Sequence, residues 1–137
     1  MGDDLNDKNG YEDQGDLGEH ILELCKLAQG NITTIYWCKQ QLRKRLKILD
    51  RLVNRLGKAK DESNEADIQR IENIIKRQTD ACKELGEKIQ LEIESLDAIR
   101  IAAKSYGIDI KTRLLELDDS LDGENLDDIL PDEDSSK

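Results

Sequence analysis

The chain has no phenylalanine, one proline, one histidine and four aromatic residues in all, Tyr11, Tyr36, Trp37 and Tyr106. A compact globular core draws much of its volume from bulky aromatic side chains, so the means to fill such a core are missing. With 137 residues the chain is bounded to a single domain. No apolar run approaches the ~18 residues of a membrane-spanning helix, and no secretory signal follows Met1. These absences predict an intracellular, soluble protein without a membrane span, with the cytoplasm favoured over the nucleus. Asn31-Ile32-Thr33 matches a glycosylation acceptor, which in that setting is a coincidence. Cys25, Cys38 and Cys82 form no Cys-x-x-Cys pair, and only His20 could join them in a metal site. All three fall on or beside apolar stripes, which predicts buried, reduced thiols. There is no nucleophile with a neighbouring base, no phosphate-cradling glycine loop and no cluster of carboxylates with histidine. Neither an enzyme nor a cofactor is expected.

What the chain does have is two unbroken heptad ladders. In the first, Ile21, Ala28, Ile35, Leu42, Leu49 and Leu56 hold the a positions, with Leu17, Leu24, Cys38 and Leu52 at d. In the second, Ile68, Ile75, Cys82, Ile89, Leu96 and Ala103 are a, and Ile71, Leu85 and Ile99 are d. A 3.5-residue apolar repeat packs helix on helix in a left-handed pair. The predicted fold is all-α, a long antiparallel two-helix coiled-coil hairpin at 16–106 that belongs to a larger helical bundle, with disordered acidic termini.

The predicted first helix runs 16–57, from an N-cap at Asp16 with Glu19 in capping-box spacing to a stop at Gly57. The heptad phase passes through Gly30-Asn31 without a slip, so one helix, softened there, is expected. The predicted second helix runs 64–105, from Asn64 with Glu65 and Asp67 in its first turn to a glycine stop at Tyr106-Gly107-Ile108. Each arm is about 63 Å long at 1.5 Å per residue. With the turn centred on residue 60, facing residues have numbers that add to 120. Cys38 then faces Cys82, Arg45 meets Ile75 and Gln78 meets Leu42, so no two polar core residues share a layer; a slip of seven preserves the same pattern. Residues 1–15 read as a disordered acidic leader, 108–120 as a short amphipathic helix, and 121–137 as an acidic disordered tail whose Leu126, Ile129 and Leu130 share one helical face.

The net charge of −10 is unevenly spread. The leader carries −4 and residues 116–137 carry −9, whereas residues 39–60 hold nine Lys/Arg against Asp50 alone. A basic patch of Arg43, Lys44, Lys47, Arg51 and Arg55 follows.

Four features point to protein partners. The apolar face is wider than a two-helix seam needs: Ile32, Leu46 and Val53 at e, Leu27 and Ile48 at g, and Ile74 and Ile93 on the second helix. Tyr36-Trp37 places Trp37 at c, nearly opposite the seam, where a tryptophan suits a binding hot spot. Leu114 and Leu117 line one face of the short helix, which must fold back or meet another chain. Leu126, Ile129 and Leu130 suit an acidic helix docking in a groove. The expected function is that of a non-catalytic coiled-coil subunit or adaptor of a multiprotein complex, of the kind found in cytoskeletal, chromosome-segregation or vesicle-trafficking assemblies. It would act by self-association or by pairing with helical partner subunits. The competing reading is a nucleic-acid- or chromatin-associated accessory factor using the basic half of the first helix. That reading is disfavoured because no aromatic residue interleaves the basic run and the acidic ends would compete.

Overall fold

The computed structural model describes residues 2–118, 121 and 123–130, with side chains described from residue 17 onward and not for 123–125. Among the described residues the chain is helical apart from its turns, without strands, in the order α1 (Gly2–Asp61), α2 (Glu65–Lys104), α3 (Ile110–Leu117) and α4 (Gly123–Ile129). The two long helices pack against each other as the all-α hairpin that the heptads imply. The backbone of α1 starts at Gly2, inside the segment read as a disordered leader, and the residue types there give no physical account of that extension. Residues 131–137 of the acidic tail lie outside the described residues. The chain divides into two compact units, one made of residues 33–92 and one of the remainder.

In the unit 33–92 the helical turn comes later than the sequence suggests. Gly57 was expected to stop the first helix, yet α1 runs on to Asp61. A glycine inside an exposed helix costs only about 1 kcal/mol, and the extra turn buries Ala59 with Leu52 and Ile71, ringed by Leu56, Ile68, Ile74 and Ile75. Lys58 and Lys60 in that last turn oppose the negative end of the helix dipole. The stop itself is a Schellman motif on Ser63, whose φ of 55° is left-handed. The Asn64 amide donates to the Ala59 carbonyl at 3.0 Å and the Ser63 amide to that of Lys60 at 3.1 Å. Asn64 then caps α2 as its sequence predicts: its Oδ1 accepts from the Asp67 amide at 3.3 Å, and Asp67 in turn pairs with Arg70 at 3.0 Å.

The delayed turn changes the register. Asp61 and Glu65, the helical residues flanking the turn, have numbers that add to 126, not 120. Cys38 and Cys82, whose numbers add to 120, are both free, Cys38 buried and Cys82 half-buried. Arg45 and Gln78, expected in separate layers, come together, with an Arg45 nitrogen donating to Gln78 Oε1 at 2.9 Å in a partly buried site.

In the other unit His20 of α1 and Tyr106, in the turn after α2, stack edge to face with ring centroids 5.4 Å apart. There α2 ends as predicted at Gly107, with φ of 75°, the Ile108 amide donating to Ala103 at 3.0 Å and the Gly107 amide to Lys104 at 2.8 Å. Asp109 caps α3 by accepting from the Lys111 amide at 3.1 Å and the Thr112 hydroxyl at 3.0 Å. Lys111 forms an ion pair with Asp127 of α4. Ile110 and Leu114 of α3 and Leu126, Ile129 and Leu130 at α4 join Leu24, Cys25, Ala28 and Ile32 of α1 and Leu96, Ile99 and Ala103 of α2 in the interior. Part of the segment read as a disordered tail is thus a packed helix. Three apolar residues on one face outweigh the ordering of a short helix of about two turns. Helix α1 is continuous through Gly30.

Candidate partner-binding surface

Where α3 and α4 lie decides which sequence-predicted site residues are available. In their unit they close the e flank of α1. Cys25 and Ile32 on that flank are buried, while Leu27 on the g flank is 59% exposed. Burial pushes the Cys25 thiol above its ordinary value, and the Arg113 guanidinium of α3 offsets part of the rise. Ile32, Leu114, Leu126, Ile129 and Leu130 were expected to bind partners, and they are instead interior, covered by the chain's own helices. The physical reason is that surplus apolar width demands a covering helix, and the chain supplies one itself. Leu117 at the end of α3 remains exposed, and Ile93 is half-buried.

In the unit 33–92 both flanks of α1 carry uncovered apolar side chains. On the e flank Leu46 and Val53 are exposed, seven residues apart. On the opposite flank Trp37 is 54% exposed, and Ile48, eleven residues on, sits at nearly the same angle around the helix. Tyr36 is half-buried. In an antiparallel pair the g rows of the two helices lie side by side, which brings half-buried Ile74 and, at the neighbouring c position, Leu91 to the Trp37 side. Leu91 is 65% exposed and was not among the expected site residues. Its signal in the sequence was a leucine at c, the same departure from the heptad that marked Trp37.

Charge follows the same geometry. Arg43, Lys44, Lys47, Arg51 and Arg55 are all exposed, and helical periodicity splits them. Lys44 and Arg51 share the c row with Trp37 and Arg55 follows Ile48 on the g row, whereas Arg43 and Lys47 turn toward the other side. The expected single basic patch is therefore two stripes, of which the stronger borders Trp37. Among the described residues no group of three or more His, Cys, Asp or Glu could hold a metal ion, and no helix is long and apolar enough to cross a membrane. What the arrangement offers chemically is apolar area edged with positive charge, suited to binding. No family model matches this chain, and comparison with curated proteins and with solved structures finds no match to either.

Proposed function

We propose that the protein is a non-catalytic helical subunit or adaptor of a multiprotein complex, acting by helix-helix assembly through the hairpin of residues 33–92. One observation carries this reading: Trp37, Leu46, Ile48, Val53 and Leu91 are all exposed on that unit. Each such side chain left in water forgoes roughly 1.5–3 kcal/mol of burial, and a monomer rarely exposes several along both flanks of one hairpin without a partner. The burial of Cys25 and Ile32 within the chain supports a helix as the cover that suits this coiled coil. Assemblies of the cytoskeleton, of chromosome segregation and of vesicle traffic use helical hairpins in this manner, and the choice among them rests on that analogy alone.

The test is sedimentation equilibrium on the purified chain, together with affinity isolation from its native cell. The expected result is concentration-dependent association or stoichiometric co-isolation of helical subunits, abolished by Leu46→Glu with Val53→Glu or by Trp37→Glu. A chain that stays monomeric at all concentrations and isolates alone overturns the proposal.

A further inference from the structure

We infer that the Trp37 flank of the hairpin is a docking groove for an acidic amphipathic helix of a partner protein. The inference rests on the assembly reading above and names the surface and the chemistry of its occupant. Trp37 and Ile48 stand three helical turns apart on one face of α1, about 16 Å along the axis, and Leu91 and Ile74 border them from α2. A partner helix with apolar residues at i, i+4, i+7 and i+11 spans the same distance.

Charge selects the occupant. Lys44, Arg51, Arg55 and Lys58 of α1 and Arg77 and Lys88 of α2 edge this flank, and all six are exposed. None of them pairs with a carboxylate within 4.0 Å among the described residues. The acids on the same flank are Glu84 and Asp67, and Asp67 is engaged by Arg70 at 3.0 Å. A helix flanked by glutamate and aspartate meets complementary potential along both edges, whereas a basic helix meets repulsion. Nucleic acid would answer the charge but not the apolar centre. Ile48 and Leu91 offer a phosphate backbone nothing, and a single tryptophan is no stacking platform. The e flank is the weaker candidate, because the e row of α2 carries Glu65 and Glu72, which dilute the field.

The probes are two synthetic helical peptides of about 20 residues with leucine at i, i+4, i+7 and i+11, one flanked by glutamate and the other by lysine. Binding to the full chain is followed by fluorescence anisotropy. The glutamate peptide is expected to bind and the lysine peptide at least tenfold more weakly. Trp37→Ala should weaken the glutamate peptide about tenfold. Arg51→Glu with Arg55→Glu should reverse the preference, while Arg43→Glu with Lys47→Glu on the other side changes it less than twofold. Circular dichroism checks that each variant stays helical, which is expected because every substituted residue is exposed.

Equal affinity for both peptides, no binding of either at ~100 μM, or an unchanged preference after charge reversal overturns the inference. So does a duplex oligonucleotide that displaces the glutamate peptide at ~150 mM salt, or self-association of the chain that Trp37→Ala abolishes. Only the docking inference falls if the chain assembles with helical subunits and these peptides fail. A chain that isolates alone and never associates refutes the assembly reading whatever the peptides do.

Discussion

Cys25 occupies the e row of α1 beneath α3, 1% exposed, and its chemistry follows from that cover. Thiol reagents act on the thiolate, so a thiol raised by burial and closed to solvent should react more slowly near neutral pH than half-buried Cys82. Timed alkylation with mass spectrometry reads the order. The raised value also fixes a pH dependence. The folded chain holds the Cys25 proton more tightly than the unfolded chain, whose thiol keeps the ordinary value of 9.0. Below that pH the group leaves stability unchanged, and above it stability falls, by at most about 1.4 kcal/mol per pH unit. Urea midpoints at about pH 8 and about pH 10 should show a steeper decline for the natural chain than for Cys25→Ala. Equal slopes would mean that Cys25 is not withheld from water.

At the scale of the elements, Arg45 and Gln78 join α1 to α2 by a side-chain hydrogen bond. An apolar a/d ladder is indifferent to a slip of seven, whereas one hydrogen-bonded polar pair is satisfied in a single register. Replacing Arg45 with leucine leaves the partly buried Gln78 amide against a hydrocarbon side chain and should cost about 1–2 kcal/mol. The double change Arg45→Leu with Gln78→Leu should recover that loss while relaxing the alignment. The natural cysteines report the relaxation, because Cys38 and Cys82 face each other only where facing numbers add to 120. Mild oxidation should leave them unlinked in the natural chain and begin to link them in the double variant. A Cys38–Cys82 disulfide forming readily in the natural chain would refute the register.

The same elements show what was legible beforehand. The Asn64 cap and the Gly107 stop were readable because each depends on residues within one turn of itself. The end of α1 was not, because Gly57 is only weakly unfavourable in a helix and the competing gain, the burial of Ala59 against Ile71, spans the turn. The Arg45 contact with Gln78 was not legible either, because it is a diagonal one whose numbers add to 123, and the a/d ladder specifies only residues in the same layer.

At the scale of the whole molecule, the question left open by the sequence was what covers the surplus apolar width. The periodicity of Ile110, Leu114, Leu126, Ile129 and Leu130 was plain, but an amphipathic helix has the same pattern whether it closes on its own chain or on another. Trp37 and Leu46 carried an equally plain signal and lie beyond that cover. Ending the chain after Gly107 removes α3 and α4 and should expose Cys25 and Ile32. Cys25 should then alkylate readily, and amide exchange should quicken in residues 17–32 and 93–104. Residues 45–85 should keep their protection, since the core of Leu52, Ala59 and Ile71 is built entirely within the unit 33–92. Uniform loss of protection along both helices would mean that the two units fold as one.

Gly107 imposes a demand of a different kind from packing. A Cβ built on it meets nothing within 4 Å, yet its φ is +75°. The position has room for a side chain and excludes one only by handedness, which costs an L-residue roughly 1–2 kcal/mol. D-alanine satisfies the same dihedral without strain and narrows the unfolded ensemble besides. The return of the chain from α2 to α3 is thus governed by chirality at a single carbon.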